Sequence, residues 1–117
     1  MMPNQSQALE RLAELSRLLD KATEEYSQID EESVRAKQAY EVSYARAFLD
    51  NAGSMELRKQ IANYETRDEN LEYELNAAKV RAVKERIRTL GTQIEVGRSL
   101  ASAHKTQFSA ESIGQYT

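Results

Sequence analysis

Apolar residues recur at alternating steps of three and four through most of this chain, with one interruption at Asp50-Asn51-Ala52-Gly53-Ser54. Before the interruption the stripe reads Ala8, Leu12, Leu15, Leu19, Ala22, Tyr26, Ile29, Ser33, Ala36, Tyr40. After it the stripe reads Leu57, Ile61, Tyr64, Asp68, Leu71, Leu75, Ala78. That period predicts two long helices, each burying one face, with no strand signal between them. The expected fold is all-α: an antiparallel helical hairpin with coiled-coil packing, spanning residues 1–108.

The boundaries follow from local chemistry. Ser6 is a suitable N-cap with Pro3 upstream, and no Gly or Pro occurs from there to Leu49, so a first helix is expected over 6–49. Asn51-Ala52-Gly53 suits a left-handed stop, because Gly tolerates positive φ. The turn is therefore placed at 50–54, with Ser54 capping a second helix over 55–108 and Glu56 favourably placed in its first turn. Beyond Leu75 the strong positions become Val83, Ile87, Leu90 and Ile94, which requires two successive steps of four through Lys79. Such a stutter locally unwinds a supercoil. Residues 109–117 lose the period and read as a flexible tail.

Charge supports a chain that doubles back. Residues 1–32 hold eight acids against three bases, whereas residues 79–117 hold seven bases against three acids. Folding at Gly53 would set residue 20 opposite about residue 84 and residue 26 opposite about residue 78, acidic segment along basic segment. The column is thin, however, with Ala8, Ala22, Ala36 and Ser33 on one side and Asp68 on the other, while Leu9 and Leu18 fall beside it. A lone hairpin of this kind leaves leucines in water. Self-association is expected, most simply a dimer of hairpins forming a four-helix bundle, or a higher oligomer.

Composition narrows the function classes. The 117 residues carry 40% hydrophobic and 30% charged side chains, 4 Gly, 1 Pro, no Trp and no Cys. One helical domain without a large globular core is expected. Lack of cysteine removes disulfides and thiolate chemistry and suits a reducing cytoplasm. No apolar run is long enough to span a bilayer, and Met1 to Gln7 lacks the features of a signal peptide, so no membrane partner is expected.

No constellation reads as an active site. His104 is the only histidine and falls at a seam position, with no nucleophile or second metal ligand in pattern. Asp30-Glu31-Glu32 lacks the loop of a calcium site, and Gly91 and Gly97 follow no strand and form no phosphate cradle. Glu-x-x-His, the mark of a carboxylate-bridged metal in a bundle, does not occur. The chain is read as no enzyme, with no cofactor, metal or small-molecule substrate. Arg81, Lys84 and Arg88 could track a phosphate backbone, against a net charge of -3 and the facing acids, so pairing within the fold is the plainer expectation. Of Tyr26, Tyr40, Tyr44, Tyr64 and Tyr73, most fall on or beside the stripe and suit amphipathic packing better than base stacking.

Two stretches carry a resemblance. Ala47-Phe48-Leu49 with Gly53-Ser54-Met55, Arg58-Lys59, Ala62 and Thr66 is one; Ile94-Glu95-Val96-Gly97-Arg98-Ser99 with Gly114-Gln115-Tyr116-Thr117 is the other. Across about residues 40–117 the chain resembles small helical proteins encoded by phages and prophages of actinobacteria, often among early genes near recombination and replication functions. The resemblance implies a phage protein of the host cytoplasm. It makes Arg58-Lys59 and a kink at Gly97-Arg98-Ser99 candidate contact points. With Arg81, Lys84 and Arg88, the candidate contacts for a partner protein or nucleic acid are thus Arg58, Lys59, Arg81, Lys84, Arg88 and Arg98. The function implied is an oligomeric coiled-coil adaptor in phage DNA recombination or replication, binding a phage or host protein or nucleic acid. A host-takeover or anti-defence inhibitor and a virion assembly or scaffolding component are the alternatives.

Overall fold

The computed structural model describes the backbone of residues 4–114 and the side chains of residues 4–106. Among the described residues all regular structure is helical: α1 (Gln5–Asp50), α2 (Met55–Glu65) and α3 (Arg67–Gly114). The chain divides into two compact units, one made from the described residues of Met1–Glu24 and Glu85–Thr117, the other from Glu25–Lys84. In each, a segment of α1 packs against a returning segment.

The 46 residues of α1 contain neither Gly nor Pro. Ion pairs one turn apart brace its surface, Arg35 to Glu31 at 2.9 Å and Lys37 to Glu41 at 4.0 Å. Its N-cap is Asn4 rather than Ser6. The Asn4 side chain accepts from the Gln7 amide at 2.8 Å, and Gln7 Oε1 accepts from the Asn4 amide at 2.9 Å. This is a capping box built from amide side chains, and it satisfies two donors where a Ser6 cap would satisfy one.

The end of α1 is held by side chains because its last carbonyls have no helical partner. Asn51 Nδ2 donates to the Ala47 carbonyl at 2.6 Å, and Arg58 Nε donates to the Phe48 carbonyl at 3.0 Å. Gly53 adopts φ +116°, the positive value expected of it. Ser54 then caps α2, its hydroxyl accepting from the Leu57 amide at 3.2 Å.

The expected second helix is two helices. Thr66, with φ -109° and ψ 17°, separates α2 from α3. Its hydroxyl donates back to the Ala62 carbonyl at 2.7 Å, and its amide reaches the same oxygen at 3.1 Å. Side-chain back-bonding of this kind bends helices. The Tyr64 carbonyl accepts from Arg67 Nη1 at 2.7 Å, so a side chain covers a group at the break. By contrast α3 is continuous through Gly91 and Gly97, with no break at Gly97-Arg98-Ser99. The stretch expected to be a tail is helical as far as Gly114; residues 115–117 lie outside the described residues.

In the unit joining the two chain ends, the core is aliphatic. Leu15, Ala22, Leu90 and Ile94 are buried, with Leu12, Leu19 and Ile87 packed against them. Gly97 lets α1 come close: a methyl group placed there would lie 2.7 Å from Leu12 Cδ2. In the Glu25–Lys84 unit aromatic and polar side chains join small aliphatic ones. Tyr40 stacks on Tyr73 at 6.2 Å and meets Tyr44 edge-on, while Ala47, Ala62, Thr66, Asn76 and Val83 are buried.

The register differs from a fold-back at Gly53. Tyr26 meets Lys84, whose Nζ lies 5.8 Å from the ring centroid, where about residue 78 was expected. The reason lies at the turn: Met55 and Leu57 are exposed, Arg58 reaches back to Phe48, and the first buried residue of the return is Ala62. The opening turn of α2 thus caps α1 before pairing begins.

Candidate interaction face

The stripe on α1 faces inward as its spacing predicts. Every position from Ala8 to Tyr40 in the 3,4 series is buried or half-buried. The returning helices behave otherwise. Its buried and half-buried series is Ala62, Thr66, Glu69, Tyr73, Asn76, Val80 and Val83, which continues in step through Ile87, Leu90, Ile94, Gly97, Ala101 and His104. The alternation of four and three is unbroken, so no stutter occurs at Lys79. The series Leu57, Ile61, Tyr64, Asp68, Leu71, Leu75, Ala78 lies on the other side of the helices, with Ile61 half-buried and the others exposed. Leu57 is 48% exposed, Tyr64 67%, Leu71 55% and Leu75 51%.

Within the Glu25–Lys84 unit, then, Thr66 and Asn76 share the interior with Ala47, Ala62 and Val83, while Leu57, Leu71 and Leu75 lie outside. Asn76 is buried at a seam position, its Nδ2 donating to the Glu72 carbonyl at 2.8 Å and facing Glu72 Oε1 at 3.3 Å. One carboxylate oxygen of half-buried Glu69 is shielded from solvent. Four leucine and tyrosine side chains at heptad-compatible spacing on a solvent face cost water-exposed apolar area, at about 25 cal/mol per Å². A stripe of this spacing accepts a helix, knob into hole. Of the five tyrosines, most of them expected on or beside the seam, Tyr26, Tyr40, Tyr44 and Tyr73 are half-buried and Tyr64 belongs to the outer stripe.

The six basic candidates are distributed unevenly between structural and surface roles. Arg58 holds the turn: besides its bond to Phe48, its guanidinium lies 4.4 Å from the Phe48 ring centroid. Lys84 sits over Tyr26, and Arg88 pairs with Glu85 of its own helix at 2.8 Å. Lys59, Arg81 and Arg98 are exposed. Arg58, Lys59, Arg81 and Lys84 fall in the Glu25–Lys84 unit, Arg88 and Arg98 in the other.

Grooves on the described surface are shallow. One of about 540 Å³ runs along α1 beside Gln7, Arg11, Glu14 and Arg17. Another of about 200 Å³ lies among Ser43, Arg46, Asp50, Glu65, Thr66 and Glu69, with more acids than bases. Among the described residues no three His, Cys, Asp or Glu side chains are grouped to hold a metal, and no helix is long and apolar enough to cross a membrane. His104 is half-buried on the α3 seam, as its spacing predicts. No family model matches this chain, and neither a curated protein nor a solved structure is significantly similar to it.

Proposed function

We propose that this chain is a non-enzymatic helical adaptor that acts by binding another macromolecule through the outer face of α2 and the first turns of α3. The observation that carries this reading is the outward stripe of Leu57, Tyr64, Leu71 and Leu75, on helices whose own seam mixes small apolar residues with Thr66, Glu69, Tyr73 and Asn76. Apolar side chains at helical spacing recognise another helix by burial, whereas small-molecule chemistry needs an enclosed pocket with a few convergent polar groups. The setting we assign, an actinobacterial phage or prophage with action in recombination or replication inside the host, rests on the resemblance over residues 40–117.

The basic residues contribute less to this reading. Arg58, Lys84 and Arg88 already have partners within the chain, and the net charge of -3 opposes a general affinity for phosphate. The test is affinity capture from infected cells with the natural chain and with a Leu71→Glu, Leu75→Glu variant. A stoichiometric recombinase or annealing protein lost in the variant supports the adaptor. A host enzyme lost in the same way would favour the inhibitor, and enrichment in purified particles would favour the assembly component. Salt-sensitive binding of single-stranded DNA that survives the variant would refute action through this stripe.

A further inference from the structure

We infer that the outer stripe pairs with the same stripe of a second copy of this chain, antiparallel, about a two-fold axis level with Thr66. The inference rests on the protein-binding reading above and names the first partner of that surface. Its basis is the order of the residues. Leu57, Ile61, Tyr64, Asp68, Leu71 and Leu75 follow at steps of 4, 3, 4, 3, 4, so the spacing is the same from either end. The chemistry is also the same from either end: two apolar residues, two polar ones, two apolar ones.

In an antiparallel coiled coil the two kinds of seam position face each other across the interface. One register sets Leu57 against Leu75 of the second copy, Ile61 against its Leu71, and Tyr64 against its Asp68. The two-fold repeats each contact in reverse. Every apolar residue then meets an apolar residue, and the Tyr64 hydroxyl can donate to the Asp68 carboxylate. Sliding one heptad in one direction sets Ile61 against Ala78 and Asp68 against Leu71. Sliding the other way sets Leu57 against Asp68 and leaves Leu71 and Leu75 without a partner. Both alternatives bury a carboxylate against leucine, which is costly.

Flanking charges disfavour the slide that pairs Ile61 with Ala78. Arg58, Glu65, Glu72 and Lys79 lie along one edge of the stripe. In the favoured register the charge of Arg58, held at Phe48 within its own chain, lies on the edge that Glu72 of the second copy occupies, twice. The slide that pairs Ile61 with Ala78 would instead oppose Arg58 to Lys79 and Glu65 to Glu72. Near the axis each Glu65 approaches its own copy, and so does each Arg67 on the other edge. The Arg67 guanidinium is drawn aside onto Tyr64, 4.3 Å from the ring centroid. Because the stripe lies opposite the seam, both α1 helices fall outside the contact. In the Glu25–Lys84 unit the assembly is therefore a row of helices rather than the closed four-helix bundle expected from the sequence.

The interface is small. The stripe and its edges supply about 14 residues a side, against roughly 20–30 for a standard stable interface, so a dissociation constant on the order of micromolar is expected. Sedimentation of the full chain from about 1 μM to 1 mM should therefore move from 13.3 kDa to twice that mass. Leu71→Glu with Leu75→Glu should weaken the dimer by roughly a hundredfold while leaving the dilute chain helical. As the chain has no cysteine, single cysteines report direction. Glu65→Cys should link to its own copy with a short bis-maleimide, and Lys79→Cys should not. A chain that stays monomeric at 1 mM overturns the inference, and so does a dimer indifferent to the glutamates or one in which Lys79→Cys links as readily as Glu65→Cys. A monomer that still captures another protein through the stripe overturns the pairing and leaves the adaptor reading standing.

Discussion

Two glycines in one helix should respond to alanine in opposite ways. Both Gly91 and Gly97 lie inside α3, where Gly costs about 1 kcal/mol relative to Ala. At Gly91 an added Cβ meets nothing within 4 Å, so Gly91→Ala should recover nearly all of that 1 kcal/mol. At Gly97 the Cβ would lie 2.7 Å from Leu12 Cδ2 and 3.4 Å from its Cγ. Leu12 packs on the cluster of Leu15, Ala22, Leu90 and Ile94, so it cannot swing aside without losing contacts there. Overpacking of this kind costs about 1–3 kcal/mol, which cancels or exceeds the gain in propensity. The two variants should therefore differ by about 1–3 kcal/mol. Urea unfolding followed by far-ultraviolet circular dichroism resolves this, at one protein concentration because association shifts apparent stability. Leu12→Ala should remove the penalty, making Gly97→Ala favourable in that background, a coupling that a double-mutant cycle isolates. Equal stabilisation by both alanines would refute the close approach of α1 to Gly97.

Other perturbations probe the remaining features. Leu15→Ala should cost about 2–5 kcal/mol, whereas Leu71→Ala should change the stability of the dilute chain by no more than about 0.5 kcal/mol, although both remove a leucine from a 3,4 series; thermal melts of the two against the natural chain decide it. Arg58→Met should cost about 1–2 kcal/mol by removing the bond to the Phe48 carbonyl and the stacking on its ring, and Arg58→Lys should restore less than half, as measured by denaturant midpoints. Asn76→Leu should raise stability by about 1 kcal/mol while admitting other registers, visible as broadened distances between spin labels at positions 36 and 80.

The inward stripe of α1 was readable because each of its positions is a hydrophobic, alanine or tyrosine side chain, with Ser33 the one exception. Gly53 and Ser54 were readable because positive φ and a free helix amide each have a short list of residues that satisfy them. The start of α1 was less so, because Asn4 and Gln7 perform a capping box normally written with a hydroxyl and a carboxylate. The break at Thr66 depends on a hydroxyl turning back to the Ala62 carbonyl, and a threonine inside a helix more often leaves no mark on its sequence pattern.

The phase of α2 and early α3 was misread for a physical reason. Leu57, Ile61, Leu71 and Leu75 are the most apolar residues of the segment, and hydrophobic periodicity assigns the most apolar face to the interior. Stepping back by three and four from Ile94, Leu90, Ile87 and Val83 instead reaches Val80, Asn76, Tyr73, Glu69, Thr66 and Ala62, the series the structure buries. The stutter at Lys79 arose only from joining two faces that do not belong to one seam. A forced change of phase between two regular 3,4 series is thus informative in itself: it is what a helix with two apolar faces looks like when its sequence is read for one. The inner series meets α1 through small and polar groups, and the outer series carries the leucines. Burial energy follows apolar area, so the stronger of the two faces is the one that has no partner within the chain.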